Sequence, residues 1–173
     1  MQRAKTDQIL RAGIVVLLGL LVFVIYDSIH QRIVQVGDTA PKFTIATDSG
    51  RTVSLDDFGG KLLVLNFWAT WCPPCVQEIP SLEQFSRDLS KEGVVVLGIS
   101  VDKDPNVYRT FVERANVSFL TARDPEQKIN AAYGTFQYPE TYVINRQGRV
   151  LQKFIGAEMW TDPRITQLIR SYL

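Results

Sequence analysis

The sequence is poor in side chains that bind metals: one histidine and two cysteines occur in 173 residues. Tetrahedral zinc takes four ligands, and His30 stands far along the chain from Cys72 and Cys75, so a structural zinc site is not expected. A two-thiolate copper(I) site stays open, because soft sulfur ligands favour that ion. An excess of one charge is also missing. Lys and Arg number 19 against 18 Asp and Glu, which gives no field to draw the chain onto nucleic acid. Low-complexity stretches, internal repeats and long linkers are absent, and the length is that of one domain able to bury a real core. No metal, cofactor or nucleic-acid partner is expected.

What is present is unevenly spread. Residues 13–26, GIVVLLGLLVFVIY, carry no charge between Arg11 and Asp27. The run is a little shorter than the ~20 residues that span a hydrocarbon core. Ile9, Leu10 and Ile29 extend it, and Arg11 can snorkel its guanidinium toward the headgroups. Three further absences choose among its readings. Val24-Ile25-Tyr26-Asp27-Ser28-Ile29-His30 offers no Ala-x-Ala-like processing site, which argues against a cleaved signal peptide. No cysteine follows the run, which removes a lipoprotein anchor. No polar face interrupts it, which argues against a buried core helix. The expectation is a cytoplasmic N-terminus and a transmembrane signal-anchor helix within residues 1–30, followed by a folded domain over 31–173. Arg3, Lys5 and Arg11 precede the span against a single Asp7, which places residues after about Asp27 outside the cytoplasm. Arg32 on the far side weakens that contrast slightly. In a bacterial host the exported side is the periplasm or the outer face of the membrane, an oxidising compartment.

The exported part reads as alternating strands and helices. Val34 to Lys42 is an extended lead-in, since Pro41 cannot donate a ladder bond. Residues 43–47 and 52–55 flank Asp48-Ser49-Gly50-Arg51 and read as a β-hairpin. Residues 62–68 and 94–101 are nearly continuous apolar runs, the pattern of strands buried on both faces. A helix is expected from the cysteine pair through Glu78, Leu82, Phe85 and Leu89, stopped by Gly93. Asp104-Pro105 supplies an N-cap and N1 proline for the next helix, and Asp124-Pro125 predicts a third that ends near Tyr133-Gly134. Residues 141–145 and 150–155 form a second hairpin around Arg146-Gln147-Gly148-Arg149, and Thr161-Asp162-Pro163 opens a terminal helix. The order implies an α/β fold, a mixed sheet covered by helices.

Cys72-Pro73-Pro74-Cys75 carries the chemistry. At a helix N-terminus the first sulfur faces backbone N–H groups and the positive end of the dipole. That stabilises a thiolate and can bring a thiol pKa of ~8.5 down to between ~3.5 and ~7.5. The second sulfur, one turn in, is placed to attack a mixed disulfide and release the product, so the pair carries two electrons by exchange. The two prolines remove two donors and leave the N–H of Cys75. A plain disulfide staple is the competing reading, but closing so short a loop stabilises little. Glu78 follows Cys75 by three positions on the same helical side. Spacing alone allows two roles there: a complement to the helix dipole, or a proton carrier if burial raises its pKa. Trp71 is expected at the surface and Trp68 in the core. Pro80 should bend the helix by freeing the Val76 carbonyl, whether to shape the site or only to pack.

Phe67-Trp68-Ala69-Thr70-Trp71-Cys72-Pro73-Pro74-Cys75, with Glu78 and Pro80 after it, resembles the TlpA/ResA/CcmG group of thioredoxin-like proteins. The Val36-Gly37-Asp38-Thr39-Ala40-Pro41-Lys42-Phe43 lead-in and the Tyr138-Pro139-Glu140-Thr141-Tyr142-Val143-Ile144 segment extend the resemblance over nearly the whole exported part. It implies a thioredoxin-like fold with an N-terminal β-hairpin and a central βα insertion, tethered by the N-terminal helix. It also implies reduction of disulfides in selected exported proteins, as in cytochrome c maturation or oxidase assembly, with a membrane thiol carrier as electron donor. Cys72 and Cys75 then act as the dithiol and Glu78 as proton handler. Trp71 and Tyr138 are expected to contact the partner, with Pro139 as a cis-proline facing the sulfurs. Thioredoxin carries a buried Asp where this chain has Asn66, which cannot titrate. A copper(I)-handling protein is the alternative. A thiol peroxidase ranks third, because peroxiredoxins place Thr three residues before the reactive Cys, where this chain has Ala69.

Overall fold

The computed structural model describes residues 11–24 and 33–173. Residues 11–24 are helical, and their large apolar side chains are exposed. No helix among the described residues is long and apolar enough to cross a membrane. The expectations placed on residues 1–10 and 25–32, including the charges at Arg3, Lys5, Asp7 and Arg32 and the outer end of the apolar run, lie outside the described residues.

Residues 33–173 form a separate compact unit. Its elements run β1 (Thr44–Ala46), β2 (Thr52–Ser54), β3 (Leu62–Trp68), α1 (Pro73–Leu89), β4 (Val94–Ser100), α2 (Pro105–Arg114), β5 (Leu120–Arg123), α3 (Lys128–Tyr133), β6 (Glu140–Ile144), β7 (Val150–Ile155) and α4 (Pro163–Arg170). β1 and β2 make the expected antiparallel hairpin. The main sheet has the order β5-β4-β3-β6-β7. β3, β4 and β5 run parallel, β6 is antiparallel to β3, and β7 is antiparallel to β6 and so runs in the direction of β3. This is a thioredoxin-like α/β fold, with β5 and α3 inserted between α2 and β6.

β3 lies at the centre, and all seven of its residues are buried. Strand alternation sends Leu62, Val64 and Trp68 to one face, where they meet Ile79, Leu82, Phe85 and Leu89 of α1. Leu63, Leu65 and Phe67 face the other side, against Phe43, Val53, Tyr133 and Tyr142. The same period puts Asn66 on the α1 side, where a polar side chain is buried only with a partner. Gly98 on β4 has a steric reason: a Cβ there would stand 3.0 Å from the Phe119 ring and 3.1 Å from the Trp68 indole nitrogen.

One local expectation is filled in and one is corrected. β5 is the strand of the central βα insertion that the resemblance implies, although its four residues, Leu120-Thr121-Ala122-Arg123, show too little periodicity to stand out alone. Asp124-Pro125 does not begin α3 directly. Asp124 caps that helix from a distance, its carboxylate accepting the N–H groups of Lys128, Ile129 and Asn130. The chain turns between them, with Gln127 N–H donating to the Asp124 carbonyl and Gln127 at φ 56°. Asp104 and Asp162 cap α2 and α4 at the expected positions.

Candidate active site

The cysteine pair sits where the sheet hands the chain to α1, the longest helix of residues 33–173. Cys72 is the N-cap of α1, and Pro73 and Pro74 occupy its first positions. The two sulfurs are joined as a disulfide, with the Cα atoms 5.3 Å apart. Cys72 is 5% exposed and Cys75 is fully buried, so an attacking group reaches Cys72 first. The Cys75 N–H donates to the Cys72 sulfur at 3.3 Å. With no N–H on either proline, this is the donor that the helix N-terminus retains for that sulfur.

Glu78 lies one turn beyond Cys75 and is 3% exposed. Its Oε1 accepts from Asn66 Nδ2 at 2.8 Å, and its Oε2 from the Glu158 N–H at 3.1 Å and Trp160 Nε1 at 3.2 Å. Burial nevertheless outweighs these donors and raises the carboxyl pKa from 4.5 to about 7. Asn66 also donates to Thr141 Oγ1 at 2.9 Å, and its Oδ1 has no partner among the described residues. A half-turn of that amide would offer Oδ1 to a protonated Glu78. Asn66, which cannot titrate, thus positions the carboxyl that can.

The turn before β6 packs Tyr138 against the core cluster that contains both cysteines. The Tyr138–Pro139 peptide bond is cis, and the Pro139 carbonyl accepts the Gly156 N–H at 2.8 Å. Tyr138 is held by its hydroxyl, which donates to Asn130 Oδ1 at 3.0 Å. Its ring meets Trp71 edge-on, with centroids 5.8 Å apart. Trp71 is 61% exposed, whereas Trp68 is fully buried. The structure therefore brings Trp71, Cys72, Cys75 and Tyr138 into one neighbourhood, and the segment after β7 links Pro139 to Glu78 through Gly156, Glu158 and Trp160.

Glu158, Trp160 and Asp102 were missed by sequence reasoning. The first two belong to no recognisable spacing, and Asp102 lay between stronger signals. Among the described residues no group of three or more His, Cys, Asp or Glu side chains is placed to hold a metal ion. A cavity of about 590 Å³ opens beside Tyr108, Arg109 and Arg123, and neither cysteine lines it.

A dithiol pair at a helix N-terminus, on a thioredoxin-like sheet, defines a thiol–disulfide oxidoreductase. Residues 36–153 match the AhpC/TSA family model, and the chain belongs to that family. It is 30% identical over 147 residues to the thiol-disulfide oxidoreductase ResA of Bacillus anthracis, covering 84% of this chain and 85% of that protein. It is 35% identical over 151 residues to the thioredoxin-like protein YneN of Bacillus subtilis, covering 84% and 88%. Its fold resembles a thiol:disulfide interchange protein of the thioredoxin family from Chlorobium tepidum, with a TM-score of 0.68 and 27% identity over 79% of this chain and 98% of that one.

Proposed function

We propose that this protein is a membrane-tethered reductase of disulfides in selected exported proteins, of the kind that serves cytochrome c maturation or oxidase assembly. The reduced chain begins as a dithiol. The Cys72 thiolate attacks one sulfur of the partner's disulfide, forming a mixed disulfide and expelling the partner's other sulfur as a thiolate. Cys75, once deprotonated, attacks Cys72, closes the internal disulfide and releases the second partner thiol. Two electrons and two protons pass to the partner. Glu78 takes the proton from Cys75 and returns it to a departing thiolate, a task suited to a group titrating near neutrality. A membrane thiol carrier restores the dithiol. The uncharged run over residues 13–26, preceded by Arg3, Lys5 and Arg11, supports a tether with the domain outside the cytoplasm.

The observation that carries this reading is the buried Glu78 carboxyl one turn beyond a Cys pair whose outer sulfur is capped by a single N–H. The reduced full chain is expected to reduce a protein disulfide and to lose that activity in Cys72→Ser. Cys75→Ser is expected to trap a mixed disulfide, which mass spectrometry would assign. Stoichiometric copper(I) binding with no exchange would overturn the reading.

A further inference from the structure

Three residues separate the end of β3 from Cys72, and their position is decided upstream of the sulfur, because Pro73 and Pro74 offer no N–H on the helix side. Cys72 N–H closes a turn on the Ala69 carbonyl at 3.2 Å, and Val101 N–H holds the Trp68 carbonyl at 3.0 Å. Between these contacts stands Asp102, 3% exposed. Its Oδ2 accepts the Thr70 N–H at 2.9 Å and its Oδ1 accepts the Thr70 hydroxyl at 2.7 Å. Ser100 sets the carboxylate from behind, donating to Oδ2 at 2.6 Å and accepting the Asp102 N–H at 3.0 Å. Arg123 Nη1 fixes the following turn by donating to the Lys103 carbonyl at 2.8 Å.

We propose that Asp102 is a positioning residue for disulfide exchange: its carboxylate grips Thr70 at two points and so presents Trp71 and Cys72 to a protein partner. Apolar side chains would tie the same loop to the sheet without desolvating a charge. The carboxylate adds direction, since both the backbone and the side chain of Thr70 are fixed. Trp71 follows directly, exposed and braced edge-on by Tyr138, so its indole and the Cys72 sulfur are presented in one register. A small disulfide needs only the sulfur. A protein disulfide must also seat on the surface around it, and a displacement of about 1 Å is enough to cost such a reaction up to ~10²-fold.

The inference rests on exchange itself and not on the direction of electron flow. The test uses the full chain with Thr70→Val, Thr70→Ser and Asp102→Asn, in single turnover. The protein probe is insulin for the reduced chain or reduced ribonuclease for the oxidised chain, whichever reacts faster, and the matching small probe is 4,4′-dithiodipyridine for the reduced chain or dithiothreitol for the oxidised one. Thr70→Val and Asp102→Asn are expected to slow the protein probe about tenfold and to leave the small probe within about twofold. Thr70→Ser, which keeps the hydroxyl, is expected to restore the protein rate. Equal loss on both probes, no loss on the protein probe, or no rescue by serine would overturn the proposal. If Asp102→Asn does not fold, the Thr70 pair still decides. A wild type that oxidises ribonuclease but does not reduce insulin would count against the reductase reading alone.

Discussion

Glu78 is pulled two ways. Three donors converge on its carboxylate and favour the charged form, while removal from water favours the neutral one, and burial wins by enough to bring the pKa to about 7. The sign for stability follows. The folded state holds the proton more tightly than the unfolded chain, whose carboxyl titrates near 4.5. The contribution is therefore fully present below about pH 4.5, falls as pH rises, and is lost once pH passes about 7. At ~1.4 kcal/mol for each pH unit between these values, the loss amounts to about 3 kcal/mol. Glu78→Gln keeps the shape and removes the titration, so its stability is expected to be flat over that interval where the wild type declines, as denaturant melts at several pH values would show. The same variant is expected to slow exchange by roughly 10²-fold and to erase an inflection near pH 7 from the rate profile. A profile that keeps the inflection would assign it to another group.

At the scale of the element, the first turn of α1 governs the Cys72 sulfur. An N-cap side chain normally accepts from the second or third N–H of its helix. Pro74 deletes the second, and only Cys75 N–H remains in contact. Pro74→Ala would restore a donor to the thiolate. A hydrogen bond to a charged group is worth ~1.5–3 kcal/mol, so the Cys72 pKa is expected to fall by about one unit or more. Stabilising the thiolate stabilises the reduced form, so the reduction potential should rise by about 30 mV or more. Thiolate absorbance against pH and a glutathione redox titration would measure both, and an unchanged pKa would show that the added N–H points elsewhere. This turn was readable in the sequence because cysteine, proline and helix period all act locally. So were both hairpins, the two central strands, and the aspartate–proline starts of α2 and α4. What local pattern alone does not show is non-local in origin. β5 exists because β4 offers it an edge, and α3 starts late because Asp124 reaches across a turn to cap it. Cys72 and Cys75 could be named from their spacing and Glu78 only once the family resemblance was added, but Trp160, Glu158 and Asp102 come to the site only through the fold.

For the whole molecule, the lead-in and the hairpin that follows it belong to the catalytic unit, because the lead-in pairs at the β7 edge of the main sheet and the hairpin at the β5 edge. Gly37 and Asp38 exchange backbone hydrogen bonds with Val150 at the start of β7, and Thr39 bridges Arg149. At the far edge Thr47 bridges Ala122 of β5, with Asp48 accepting the Thr121 hydroxyl at 2.6 Å. Unpaired sheet edges invite association between chains, and these contacts occupy part of both edges. The domain thus begins at about Val34, a few residues after the uncharged run over residues 13–26. If that run is a tether, the site is confined to one side of a membrane. In a bacterial host the full chain is then expected to sediment with membranes and to remain there through alkaline carbonate washing. A membrane-impermeant maleimide is expected to label the reduced cysteines in intact spheroplasts. Replacing Leu17, Leu20 and Val24 with Asp places charges in the run, each costing about 3 kcal/mol near the middle of a hydrocarbon core, and should release the chain from membranes without unfolding residues 33–173. Labelling only after lysis would reverse the orientation, and wild-type chain freed by carbonate would remove the anchor.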